Sequence, residues 1–246
     1  MRPVVKLKPD SEVTLLNGNV HVVQKTYPDY TTAKEPLIAN IGGFCSYCEN
    51  AYGHDCDLHV EHVQPKGLDK YAALKTERCN FLLACQTCNG KANKTDKDVV
   101  LNEIHLPHRN NTYLSLVYMP AGVVIVNPNL RGESYKHAKA LWELVGLNKT
   151  PMTSTPGDKR DRKRKEDGEL AERYLVKYRA GKADVETIVD LVKGYGGWSI
   201  WFTVFAGVDE VRMALIEQFP GTAVECFDAN NHFEPVYRNA GQVDPV

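Results

Sequence analysis

Two Cys-x-x-Cys knuckles, Cys45-Ser-Tyr-Cys48 and Cys85-Gln-Thr-Cys88, bracket a Glu61-His62 pair and Asn80, and Asn89 directly follows the second knuckle. Each knuckle presents two thiolates on one tight turn, and two such turns supply the four sulfurs of a closed tetrahedral zinc site. Such a site has no open position for substrate, so the zinc is read as scaffold that contributes folding free energy. The duller readings of the same pattern are a redox Cys-x-x-Cys or buried free thiols. A disulfide framework fits less well, because nothing in the first residues suggests secretion. Of the seven cysteines, Cys56, Cys79 and Cys226 are left over. Buried free thiols are the expectation for these three, with Cys56 or Cys79 a substitute if another four sulfurs form the site.

The residues between the knuckles need a rigid mount, and the local pattern provides one. Asp57 to Val63 alternates polar and apolar residues as a half-buried strand does, with Glu61 and His62 breaking the register at its end. Pro65 stops the strand. A loop from Lys66 to about Arg78 leads to a second apolar run, Asn80-Phe81-Leu82-Leu83-Ala84, and Gln86 to Lys94 carries polar helix formers. The predicted order is strand, loop, strand, helix, pinned at both ends by zinc.

Glu61-His62 with Pro65-Lys66, Asn80 ahead of an apolar strand, and Cys85-x-x-Cys88-Asn89-x-x-Ala92-Asn93-Lys94 together resemble the HNH, or ββα-metal, endonuclease family. The resemblance covers roughly residues 45–94. It implies that His62 is the general base, Glu61 a ligand of the catalytic metal, Asn80 a brace across the loop and Asn89 the other protein ligand. The chain departs from the commoner pattern in having Glu where Asp is usual and Asn as the last letter of the motif.

The chemistry stands beside the resemblance. Cleaving a phosphodiester requires a deprotonated water, a cation on the phosphate oxygens and a dry, rigid mount. A neutral imidazole at His62 can take the proton. Glu61 and Asn89 offer hard oxygen donors, which favour Mg²⁺ or Mn²⁺ over a second zinc. Each residue also has a plainer role: Glu61-His62 as a solvated strand end, Asn89 as a helix cap, His59 as a wall of the site. A zinc-held DNA-binding module without catalysis is the alternative function.

Composition bounds the rest. The chain has 246 residues, 43% hydrophobic content and a formal net charge of −1, so it can bury a core but exerts no overall pull on nucleic acid. DNA contact must come from local patches, and Lys66, Lys91 and Lys94 lie nearest the predicted site. Lys159 to Lys165 holds six basic residues and one acid, including Arg162 and Arg164. That run is either a phosphate grip or a solvated helix start. The N-terminal residues lack the apolar core of a signal peptide and the longest apolar stretch, Val117 to Val126, is too short to cross a bilayer, so a cytoplasmic protein without membrane contact is expected.

The expected fold class is α+β, a zinc-stabilised ββα-metal module over residues 41–95 set between an N-terminal segment, 1–40, and a mainly helical region, 96–246. A hairpin is predicted from Tyr113–Tyr118 and Val123–Val126. Apolar residues at helical spacing follow around Leu141, Leu175 and Ile188, with stops at Gly181 and Gly194, and a last helix starts near Asp209. Residues 150–157 are the linker candidate. Trp198, Trp201, Phe202 and Phe205 form an aromatic stripe, read as core with a partner-docking face as the minority reading. The layout, with Cys-x-Tyr-Cys-Glu49 and Leu144-Val145-Gly146-Leu147-Asn148 before the basic run, is similar to the HNH nuclease subunit of Septu-type and retron-associated antiphage systems. That resemblance implies an ABC-type ATPase partner. No Walker motif occurs in this chain, so nucleotide sensing would lie in that partner.

Overall fold

The computed structural model describes residues 1–51, 57–149, 153 and 158–246. Cys56 and nearly all of the 150–157 linker candidate lie outside the described residues. Among the described residues the architecture is mixed, with helices and four small antiparallel two-stranded sheets. Among the described residues, no helix is long and apolar enough to cross a membrane.

The N-terminal segment carries a hairpin and a helix. A hairpin of β1 (Glu12–Thr14) and β2 (Val20–Val22) turns at Gly18, whose φ of 84° suits a residue without a Cβ. Asp29 caps a single 3₁₀ turn, Tyr30–Ala33, which runs into α1 (Lys34–Ile41). The first knuckle follows, closed by a bridge between Phe44 and Ala51. Then comes the pair β3 (Leu58–His62) and β4 (Phe81–Cys85), in register from Leu58 opposite Cys85 to His62 opposite Phe81. All five residues of β4 are buried, which explains its unbroken apolar run.

The expected helix over Gln86–Lys94 is corrected to a single turn, α2 (Gln86–Asn89). At Gly90 the backbone becomes extended, with ψ near 175°. Other groups then satisfy the end of the turn: Asn93 Nδ2 donates to the Thr87 carbonyl at 2.6 Å, and the backbone N–H groups of Lys94 and Thr95 donate to the carbonyls of Cys88 and Asn89 at 3.2 Å each.

In the second half, Thr112–Ser115 forms a helical turn, α3, capped by Asn111, so the hairpin strand is only β5 (Leu116–Tyr118), paired with β6 (Val124–Val126). Helices α4 (Gly132–Leu144), α5 (Arg160–Arg179), α6 (Val185–Tyr195), α7 (Trp198–Val204) and α8 (Asp209–Glu217) follow, and a short pair, β7 (Phe227–Asp228) with β8 (Glu234–Pro235), comes last. Gly181 does end α5, with φ 67°, but α6 runs through Gly194 and stops at Gly196, whose φ is 84°. The basic run is the start of α5.

Two large cores result. One joins α1, both knuckles, β3, β4 and the end of α4; the other joins α5 to α8 with Phe227. Trp198, Trp201, Phe202 and Phe205 are at most 1% exposed, so the aromatic stripe is core. Glu49 of the first knuckle pins the two together. Buried with φ 63°, it accepts hydrogen bonds from Ser199 N at 3.0 Å, Ser199 Oγ at 2.7 Å and Arg2 N at 2.5 Å.

Candidate functional site

The hairpin of β3 and β4 brings the two knuckles together. The sulfurs of Cys45, Cys48, Cys85 and Cys88 all lie within 4.8 Å of one another, and Cys48 Sγ is 3.7 Å from Cys85 Sγ. Tetrahedral bonds of about 2.3 Å place sulfurs about 3.8 Å apart, so the spacing fits an ion such as zinc. All four are buried. As thiols alone they share protons: hydrogen bonding with Cys45, more than burial, pushes Cys48 and Cys88 well above the usual thiol range. A divalent cation would remove that difficulty by taking the negative charge.

The surroundings of the cluster suit an anionic centre. The backbone N–H of Cys85 donates to Cys45 Sγ at 3.4 Å, and Arg160 Nη1 donates to Cys88 Sγ at 3.2 Å. Arg160 also donates to the carbonyls of Val145 at 2.8 Å and Gly146 at 3.1 Å, and is ion-paired with Asp158 at 2.8 Å. The Leu144–Asn148 stretch thus serves the cluster. Gly146, with φ 67°, lets the chain approach so closely that a Cβ there would lie 2.0 Å from Asn93 Oδ1.

Beside the cluster opens a cleft of about 310 Å³ whose walls include Tyr30, His59, Glu61, His62, Lys66 and Asn89. The His62 ring lies edge-on to Phe81 at 5.0 Å and to Tyr30 at 4.7 Å between centroids. Its Nε2 is 2.9 Å from the Lys75 carbonyl, which can only accept, so the neutral ring carries its proton on Nε2 and its lone pair on Nδ1. Burial lowers the His62 pKa below the ordinary imidazole value, favouring that neutral form. Asn80 spans the loop: its Oδ1 accepts from Gln64 N at 2.8 Å, and its Nδ2 donates to the Gln64 carbonyl at 2.9 Å. Asn89 ends α2 and is half-buried; the N-cap of that turn is Cys85.

Glu61 has a partner that sequence did not disclose. Its Oε1 pairs with Lys94 Nζ at 2.7 Å and accepts from the Tyr47 hydroxyl at 3.3 Å, while Oε2 has no hydrogen-bond partner among the described residues. Burial pushes the Glu61 carboxyl up, opposed by Lys94. Lys94 is 1% exposed and donates also to the His62 carbonyl at 2.8 Å. The expectation that Lys94 meets phosphate is therefore corrected: its ammonium is buried as the counter-ion of Glu61.

Arg164 requires the same correction. It is buried, and its Nε donates to the Gly122 carbonyl at 2.8 Å. Arg160 belongs to the cysteine cluster, so α5 leaves Arg162 exposed, in an i,i+4 pair with Glu166 at 2.8 Å, and Lys159 and Lys165 exposed nearby. Lys66 and Lys91 are exposed, and Lys66 Nζ lies 4.0 Å from the Tyr30 ring centroid.

Two site residues escaped sequence reading. Tyr30 packs on His62 and under Lys66, although it lies 32 positions before His62 in a segment without a motif. Asp96, just beyond the second knuckle, lines the same cleft as another oxygen donor. Compared with known proteins, the chain matches no family model and no curated sequence.

Proposed function

We propose that this protein is a metal-dependent HNH-type endonuclease that hydrolyses phosphodiester bonds in DNA. The observation that carries the reading is that Glu61, His62, Asn89 and Lys66 share one cleft, mounted on a hairpin whose ends meet at a four-sulfur cluster. The cluster is assigned a structural zinc ion. Glu61, through Oε2, and Asn89 are assigned to Mg²⁺ or Mn²⁺, which suit two protein oxygens supplemented by water and phosphate. When bound, that ion offsets charge on the phosphate and leaving oxygens.

His62 acts as the base. With Nε2–H held by Lys75, Nδ1 takes a proton from water as the water oxygen attacks phosphorus and the ester oxygen leaves. Asn80 keeps the loop carrying this arrangement in place. Lys66 and Lys91 supply positive charge for the substrate backbone, with Arg162 as a remoter contact. The test is plasmid cleavage by wild type and His62→Ala with and without added Mg²⁺ or Mn²⁺. Cleavage that needs the ion and disappears in a folded His62→Ala supports the reading. DNA binding without cutting in the wild type would move the assignment to a zinc-knuckle binding module.

The similarity to antiphage nuclease subunits adds a proposed setting: an effector controlled by an ABC-type ATPase partner. Stable co-purification with such an ATPase supports it. Strong, indiscriminate cutting by the isolated chain counts against it.

A further inference from the structure

Away from the cleft, three side chains from distant parts of the chain converge: His105, in the loop before α3, His137, in α4, and Asp244. One donor atom from each lies within 4.8 Å of the others. His105 Nε2 is 2.8 Å from Asp244 Oδ2, and His137 Nδ1 contacts the same oxygen. The outer nitrogen of each ring faces an oxygen, within hydrogen-bond distance only for His105. His105 Nδ1 is 2.8 Å from Ser115 Oγ, and His137 Nε2 is 3.6 Å from Glu133 Oε2. Ser134 Oγ donates to Asp244 Oδ1 at 2.7 Å, orienting the carboxylate, and the His105 N–H donates to the His137 carbonyl at 3.2 Å.

That arrangement resembles what metal-binding histidines require: one nitrogen of each ring is turned inward, and the outer nitrogen of His105 is held by a hydroxyl oxygen. Donors about 2.05 Å from a tetrahedral ion lie about 3.3 Å apart; His105 Nε2 and His137 Nδ1 both approach Asp244 Oδ2 more closely than that, so the three side chains part by a few tenths of an ångström to admit an ion. Two imidazoles with one carboxylate select first-row divalent ions over Mg²⁺ or Ca²⁺. We propose that His105, His137 and Asp244 form a second metal site, for a first-row transition ion such as Zn²⁺ or Mn²⁺, independent of the cysteine cluster and of the nuclease cleft. His105 is 0% and His137 9% exposed, so the site is largely enclosed. The ion is a clip. It joins the 105 loop, α4 and the segment around Asp244, which is also tied down where Asn110 and Asn239 donate to the Val246 carbonyl at 3.3 and 2.7 Å.

The competing state is a hydrogen-bond network in which Asp244 Oδ2 accepts an N–H from each ring, and the two states differ in metal content. The full chain is saturated with Zn²⁺, desalted and assayed for metal per chain, alongside Asp244→Asn, His137→Gln and Asn89→Ala. We expect wild type and Asn89→Ala to keep two equivalents, and Asp244→Asn and His137→Gln to keep one. One equivalent in wild type, two in the Asp244 and His137 variants, or loss of the second in Asn89→Ala overturns the assignment. Should the variants not fold, Co²⁺ titration of the wild type decides. After the sulfur-to-cobalt absorption saturates, X-ray absorption of the second equivalent is expected to show imidazole ligands, and a second equivalent without them, or none at all, refutes the site.

Discussion

Replacing Arg160 with Met keeps most of the stem of a side chain that is 5% exposed but removes every donor on it. The loss strands the Asp158 carboxylate, whose side chain is 5% exposed, leaves the Val145 and Gly146 carbonyls without this partner, and takes a positive charge from beside Cys88. Breaking a buried ion pair costs about 3–5 kcal/mol. A stranded carbonyl costs about 1–3 kcal/mol, and the two effects overlap because one guanidinium makes all the contacts. We therefore expect Arg160→Met to lose about 4 kcal/mol, or roughly 8–16 °C in Tm for a chain of this size. Metal held by the four cysteines should also be released to a competing chelator at about 10–100-fold lower chelator concentration, as when an outer-shell partner is removed. Thermal unfolding and chelator titration measure both. Adding Asp158→Asn should recover part of the Tm, because no carboxylate is then stranded. A Tm within about 2 °C of wild type with unchanged metal release would refute the assignment of Arg160 to the cluster.

Gly146→Ala places a Cβ against Asn93 at a φ of 67°, so a loss of about 1–3 kcal/mol is expected in thermal unfolding; an unchanged Tm would mean the close approach is not made. Asp167 on α5 has its pKa raised by burial to about 6, against the pull of Lys163. Its protonated form is favoured in the fold, so the stability it contributes is present below the unfolded value near 4 and is lost as pH rises through about 6. Asp167→Asn should therefore match wild type near pH 4 and exceed it by about 1–2 kcal/mol at pH 8, measured by paired denaturant melts; a constant difference across that range would contradict the sign. Lys94→Met leaves the Glu61 carboxylate unpaired in a site 1% exposed, so a loss of about 3–5 kcal/mol is expected without divalent ions, with Mn²⁺ restoring part of it. Failure of Mn²⁺ to stabilise the variant would argue against Glu61 as an ion ligand.

Much of the centre was legible because its signals are local. Two residues between paired cysteines make a knuckle whatever lies around them, and alternation followed by an apolar run specifies a pair of strands, β3 and β4, within a residue or two of the reading. The helix after the second knuckle was misread for the opposite reason. Polar helix formers from Gln86 to Lys94 have adequate propensity, but propensity is a weak prior. Here the Asn93 side chain and the backbone N–H groups of Lys94 and Thr95 take the carbonyls after one turn.

The charged residues divide along the same line. From sequence, Lys94, Arg160 and Arg164 are indistinguishable from Lys66, Lys91 and Arg162, since all six are basic residues in polar stretches. The fold buries the first three against Glu61, the Cys88 sulfur and the Gly122 carbonyl and leaves the others exposed. What the amino-acid order determined by itself was the set of cysteines and nearby polar side chains and the short-range geometry that groups them. Which cations neutralise that set, that Tyr30 and Asp96 join it, and that His105, His137 and Asp244 meet at all were decided only when segments far apart in the chain packed together. Burial and long-range pairing depend on that packing, and spacing along the backbone does not encode them.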